Sequence, residues 1–372
     1  MSKSLVVCCD GTWNSPDQQS PTNVTKVSLA IAPTDHSGRE QRTFYHLGVG
    51  TNRWERMRGG AFGFGLSRDV RDTYRFLVQN FDPGDQLFFF GFSRGAFTAR
   101  STAGFVRNCG ILRREHYDRV DEAYGLYRSK SSKTHPRGIE ATLFRRSYSH
   151  ETRIRFIGVW DTVGSLGIPL GGLGLAKLIN RRWEFHDTKL SRSVDAAFQA
   201  LAIDEKRGPF RPALWTPQED PPAGQRVEQV WFAGVHSDVG GGYPTHGISD
   251  IPLMWMVDRA RGCGLAFRPD AFTHRASGGA EPSTDDEMMG VCTAVHPDPL
   301  GDLHESRKGA YRMIPPFVRS LGVSDEAHEY VASSAVERRQ EKPDYRPPAL
   351  DAYLDGKPRI MPVESRLPST TA

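Results

Sequence analysis

The sequence predicts an α/β protein built on a mainly parallel sheet with helices on both faces. Three observations carry that expectation. Short unbroken apolar runs ("SLVVCC", "QLFFF", "FIGVW") have the length and composition of strands buried on both sides. Stretches of helical period stand between them. The residues with chemical capability fall just after the apolar runs, at the carboxyl edge where sheets of this kind bind ligands.

Taken in order, "SLVVCC" is the first strand and runs into the loop "DGTWN", and "TFYHLGVG" is the second strand candidate. Residues 67–80 predict a helix, with Ser67 as its N-cap and Val70, Tyr74 and Leu77 on one face. Asp82-Pro83-Gly84-Asp85 is a turn, "QLFFF" the next strand, and "GAFTARSTAGFV" a helix. Further on, residues 153–160 read as a strand and "SRSVDAAFQALA" as a helix. Residues 228–234 then form a strand and "IPLMWMVDRARG" a helix. Two segments break this rhythm. Residues 164–183 are rich in Gly and Leu and suit a flexible lid. Residues 342–372 are polar and Pro-rich, the composition of a loosely attached tail, which leaves 1–341 as a single domain.

Composition removes several classes. The 48 basic and 44 acidic side chains are spread along the chain, without the clustered footprint of a nucleic-acid binder. The five cysteines (Cys8, Cys9, Cys109, Cys263, Cys292) are odd in number and show no C-x-x-C spacing. That predicts reduced thiols in a protein made in the cytoplasm. The N-terminus lacks an apolar signal-peptide core, and no run of about 18 apolar residues predicts a membrane span.

The most informative stretch is "LFFFGFSRGAFTAR". A Gly-x-Ser-x-Gly placed between a buried strand and a helix is a nucleophile elbow. Gly91 and Gly95 keep side chains out of a crowded turn while Ser93 is lifted above the sheet edge. A serine nucleophile needs a base, and the base an orienting carboxylate, in the chain order Ser, acid, His. Asp161 ends the strand in "FIGVWDTVGS", and His236 follows another strand in "WFAGVHSDVGGGY". His304 is the alternative base and Asp238 the alternative acid, the latter better placed to brace the loop. The oxyanion hole calls for two backbone amides. Arg94, directly after the serine, supplies one, and the "DGTWN" loop offers Gly11 and Thr12 for the other. Two competing readings remain at this point. One is a metal-dependent phosphoesterase using Asp10, Asp161, His236 and Asp238, tested by chelation. The other is a non-catalytic binding module on a hydrolase fold.

Taken together, "CCDGTWN", "GFSRGAFTAR", "FIGVWDTVGS", "LAIDEKRGPFRPALW" and "WFAGVHSDVGGGY" resemble an uncharacterised α/β-hydrolase domain family. That family includes the catalytic domains of type VI secretion phospholipase effectors, and the likeness runs over roughly residues 3–346. It implies an α/β-hydrolase-like sheet and a cofactor-free serine esterase acting on phospholipid acyl esters. In that role Ser93 is the nucleophile, Asp161 the acid and His236 the base. It also implies a lipid or other ester substrate, transient contact with a membrane surface, and a secretion-system or immunity partner reached by signal-less export. No role follows for Asp204 or Arg207.

Overall fold

The computed structural model describes residues 2–11, 20–48, 61–164, 189–216, 218–273, 290 and 292–366. The first half runs β1 (Ser4–Cys9), α1 (Asn23–Ala30), β2 (Gln41–His46), α2 (Ala61–Asn80), β3 (Gln86–Phe92), α3 (Arg94–Cys109), β4 (Ile111–Leu112), α4 (Val120–Arg128), α5 (Ile139–Tyr148) and β5 (Ser149–His150). The second half runs β6 (Phe156–Trp160), β7 (Ala196–Ala202), β8 (Arg226–Phe232), α6 (His236–Gly240), α7 (Gly247–Gly262), β9 (Glu329–Ala332), α8 (Ser333–Glu341), α9 (Pro348–Leu354) and β10 (Ile360–Met361).

Eight strands form one sheet in the order β10-β9-β8-β7-β6-β3-β1-β2, and every neighbouring pair is parallel. β4 and β5 make a separate antiparallel pair. Successive side chains of a strand point to opposite faces, and the two cores divide accordingly. Val6, Cys8, Phe88, Phe90 and Phe198 pack on one face with Val24 and Val27 of α1 and Trp255 and Met256 of α7. Leu5, Val7, Leu87, Phe89 and Val159 pack on the other with Tyr74 and Leu77 of α2 and Phe105 of α3. Burial on both sides explains why these strands read as continuous apolar runs. The strand order reverses between β1 and β3, so the carboxyl ends of β1, β3 and β6 frame the crevice that such a switch point opens.

The structure corrects three local expectations. "AAFQALA" is β7, not a helix, and all seven of its residues are buried between β6 and β8. Alanine favours helices, but here the pairing with β6 and β8 and complete burial decide, and tertiary context overrides propensity. α2 begins at Ala61, so Ser67 lies inside the helix rather than capping it. Leu66 is buried and extends the Val70, Tyr74, Leu77 stripe upstream. Residues 343–366 are not loosely attached. α9 buries Leu350 completely, Tyr345 donates to Asp204 Oδ2 at 2.9 Å, and β10 adds a strand beside β9. Prolines set the composition of this stretch, but a few apolar anchors decide where it sits. Most of the lid expected at 164–183 lies outside the described residues.

Four of the five cysteines (Cys8, Cys9, Cys109 and Cys263) are buried free thiols, and Cys292 is partly exposed. Burial pushes the Cys9 thiol up to about 12, far from reactivity. Among the described residues no helix is long and apolar enough to cross a membrane.

Candidate active site

Ser93 sits between the last residue of β3 and the first of α3 with φ 58° and ψ −119°, a backbone conformation that a side chain rarely adopts. Its amide donates to Trp160 O at 3.1 Å, which pins the turn to the end of β6. The two flanking glycines are required by contact. A Cβ on Gly91 would lie 2.6 Å from Ala96 Cα, and one on Gly95 would overlap the carbonyl oxygens of Cys9 and Asp10 at the end of β1. The helix can therefore start directly against the sheet only without those side chains. Its N-terminal amides and positive dipole end are then presented beside Ser93 Oγ.

Asp161 follows β6 directly and also has positive φ, 38°. Its amide donates to Ala200 O at 2.7 Å, while Oδ1 accepts from Ala202 N at 3.1 Å, so the carboxyl is tied to β7 on the neighbouring position. The side chain is wholly buried. Burial alone would raise its pKa, but the Arg319 guanidinium and the His236 hydrogen bond outweigh it and hold the carboxyl well below the usual carboxylate range.

His236 opens α6, four residues beyond the end of β8, and its imidazole bridges the other two. Nδ1 lies 2.6 Å from Asp161 Oδ2 and Nε2 lies 2.8 Å from Ser93 Oγ. The ring is held between Phe92, with centroids 4.6 Å apart, and the edge of Phe210 at 5.0 Å. The His236 amide donates to Glu205 Oε2 at 3.3 Å, and Arg207 closes the same carboxylate at 2.8 Å. Asp238 accepts from Val235 N at 3.0 Å and so caps α6, the bracing role its position suggested. The glycine-rich loop expected around His236 is thus a helical turn, with Gly241 and Gly242 in the left-handed region after it.

His304 is drawn elsewhere. Its Nδ1 lies 2.6 Å from Asp238 Oδ1 and its Nε2 3.0 Å from Thr245 Oγ1, with Tyr243 stacked on the ring at 3.8 Å. On the oxyanion side, Arg94 is the first residue of α3, with its amide next to Ser93. Gly11 departs from expectation, because its amide donates to Asp10 Oδ1 at 2.6 Å and is directed into its own loop. Asp10 is otherwise occupied as a hub, accepting from Thr22, Thr25 and Tyr45 hydroxyls between 2.6 and 2.9 Å. Thr12 lies outside the described residues. Of the four residues of the metal alternative, Asp161 and His236 bond each other, while Asp10 is held by three hydroxyls and Asp238 by His304. Among the described residues no three His, Cys, Asp or Glu side chains converge on a point that could hold an ion.

Sequence reasoning missed Arg319. Both of its terminal nitrogens contact Asp161, at 2.6 and 3.0 Å, and its side chain is fully buried. The stretch that carries it, "PPFVRSLGV", follows no strand and contains no spacing that would single the arginine out.

A parallel sheet with a serine on a strained strand-to-helix turn, facing a buried histidine–carboxylate pair, defines an α/β-hydrolase-like protein. The chain belongs to the family described as "T6SS, Phospholipase effector Tle1-like, catalytic domain", whose model matches residues 3–259, a shorter span than the 3–346 expected from motifs. It is 29% identical over 237 residues to the "Uncharacterized protein YEL023C" of Saccharomyces cerevisiae, covering 58% of this chain and 33% of that one. Among solved structures it is similar to an uncharacterised protein from Pseudomonas aeruginosa, with 16% identity, TM-score 0.45, and coverage of 72% of this chain and 46% of that one. It is also similar to the Tle1 effector bound to the VgrG spike of the type 6 secretion system, with 20% identity, TM-score 0.35, and coverage of 65% and 51%. The chain thus spans about a third of the yeast protein and about half of each solved chain.

Proposed function

We propose that this chain is a serine esterase that hydrolyses carboxylic esters through a covalent acyl-enzyme, with phospholipid acyl esters as its substrates. The observation that carries this reading is the unbroken relay from Ser93 Oγ through His236 to Asp161 Oδ2, with contacts of 2.8 and 2.6 Å. Both contacts lie within the range in which a proton can be passed. Family membership supports the hydrolase class and the lipid substrate.

Neutral His236 takes the Ser93 proton as Oγ attacks the ester carbonyl. Asp161 holds the imidazole in the tautomer that leaves Nε2 free to accept, and offsets the charge that forms on it. The Arg94 amide, at the positive end of α3, faces the oxyanion. The imidazolium then protonates the leaving alcohol, the serine ester is left behind, and water enters by the same route. No step calls for a metal or an organic cofactor. Contact with a lipid surface fits Met313, Val318 and Val323, which are 84%, 55% and 70% exposed on the stretch around Arg319. A secretion-spike partner is the corresponding proposal for assembly, prompted by the complex in which the Tle1 effector was solved.

The test is release of fatty acid from phospholipid vesicles beside labelling by a fluorophosphonate probe, for wild type and Ser93→Ala. The wild type should do both, without inhibition by EDTA, and the variant should lose on the order of 10⁶-fold in rate. A folded wild type that neither labels nor releases fatty acid would sink the reading. Activity lost to EDTA and restored by a divalent ion would favour the metal-dependent alternative.

A further inference from the structure

Arg319 reaches the hydrolytic centre from a part of the chain well beyond residue 259, where the family match ends. Its Nη1 donates to Asp161 Oδ1 at 2.6 Å and to Ala202 O at 2.8 Å, and its Nη2 to Asp161 Oδ2 at 3.0 Å and to Phe210 O at 2.6 Å. Four of the guanidinium's five N–H donors are thereby committed, which fixes the plane of the fork and, through it, the plane of the carboxylate. The guanidinium is buried and permanently charged, so neither solvent nor salt weakens its hold.

We propose that Arg319 is the positioning residue of this site: it orients Asp161 and neutralises part of its charge, so that the site stays active to lower pH than it would without the guanidinium. The inference rests on the Ser93–His236–Asp161 reading above.

The argument is one of shared charge. Asp161 Oδ2 accepts from both His236 Nδ1 and Arg319 Nη2, and Oδ1 accepts from Arg319 Nη1 and Ala202 N. A lone buried carboxylate 2.6 Å from an imidazole would strongly favour the imidazolium. A carboxylate already bidentate on a guanidinium favours it less. The depressed Asp161 carboxyl agrees with this, since burial opposes ionisation and Arg319 restores it.

Other charged groups stand near the same pair, and each is engaged by a partner other than Asp161. Glu205, which accepts from the His236 amide, is closed by Arg207 at 2.8 Å. Asp238, two residues along α6 from His236, is closed by His304 at 2.6 Å. Removing Arg319 therefore alters the charge at Asp161 more than removing any of these. A consequence is that the site is incomplete without the chain beyond the family match.

The experiment is the pH dependence of the fluorophosphonate labelling rate for the full chain, comparing wild type with Arg319→Met and Arg319→Lys, and with Ser93→Ala as blank. This reads the protonation of the base without requiring the natural substrate. In Arg319→Met the acid limb should move to higher pH by about one unit, a tenfold loss of rate below the limb. Arg319→Lys should keep the wild-type midpoint, because the charge remains, while its plateau falls several-fold, because an ammonium cannot form the fork. An unmoved limb in Arg319→Met, or equal shifts in both variants, overturns the proposal. If Arg319→Met does not fold, the Lys variant decides. A wild-type midpoint with a lowered plateau supports the proposal, whereas a shifted midpoint, or wild-type labelling at every pH, overturns it. Absence of Ser93-dependent labelling in the wild type overturns the underlying triad reading instead, which keeps the two failures distinct.

Discussion

Two histidine–carboxylate pairs of equal length stand on the carboxyl side of the sheet, His236–Asp161 and His304–Asp238, each 2.6 Å. Their surroundings differ in every other respect. The far nitrogen of His236 meets Ser93 Oγ at 2.8 Å, while that of His304 meets the Thr245 hydroxyl at 3.0 Å. The far side of Asp161 is closed by a buried guanidinium, whereas Asp238 otherwise accepts from the amides of Val235 and His304. Ser93 stands on a strained elbow at a helix N-terminus, and Thr245 on an exposed loop with no such support. A hydrogen-bonded Asp–His pair therefore says little about chemistry by itself. What decides its role is the group at each end and whether the backbone aims that group at a substrate.

The largest way to separate the pairs, short of removing Ser93 itself, is Asp161→Asn. It should lower the labelling and hydrolysis rates by about 10⁴-fold, the loss expected when a triad carboxylate becomes an amide and the histidine takes the wrong tautomer. It should also destabilise the fold, because leaving one member of a buried pair unpartnered costs about 3–5 kcal/mol. The sign of the pH dependence follows from the depressed carboxyl. Its stabilisation is present above the ordinary unfolded value of about 3.9 and fades as pH falls towards the folded one. Thermal melts should therefore show wild type losing its advantage over Asp161→Asn on acidification. Parallel melting curves at all pH values would mean that the buried ion pair contributes nothing net.

Gly95→Ala should have a smaller effect, directed at one pair only. The added methyl meets the carbonyls of Cys9 and Asp10, which are backbone and cannot turn aside. α3 must move outward, carrying Ser93 and the Arg94 amide away from His236, and overpacking of this kind costs about 1–3 kcal/mol. A lowered melting temperature together with loss of labelling is the expected result. An alanine variant that melts and labels like wild type would show that the elbow is not held by this contact.

These two positions also mark how far the sequence could be read. Ser93, Asp161 and His236 were legible because each follows a buried apolar strand, and such a strand announces itself by composition. The elbow glycines were legible for the same local reason. β7 was not, because "AAFQALA" owes its conformation to the strands on either side and not to its own preference. Arg319 was invisible because a single arginine acquires meaning only when the chain brings it to a carboxylate 158 residues away. The anchoring of residues 342–366 was hidden by their prolines, since composition averages over the few side chains, Leu350 and Tyr345 above all, that do the burying. The Gly11 amide shows the converse error. The loop was identified, but the side chain of the residue before it accepts that amide first.

The smallest expected effect belongs to His304→Ala, and it bears most directly on the comparison. If the second pair is structural, the variant loses the hydrogen bonds to Asp238 and Thr245 and the stacking on Tyr243, while Val235 N and the residue 304 amide still satisfy the other carboxylate oxygen. Removing one partner of a buried acceptor costs about 1–3 kcal/mol, which should appear as a modest drop in melting temperature. The labelling rate should stay within tenfold of wild type, because nothing that touches Ser93 or His236 has moved. Labelling lost with His304→Ala but kept with His236→Ala would exchange the roles of the two histidines. It would require the stretch around residue 304 to swing His304 across to Ser93, breaking the Asp238 contact that now holds it.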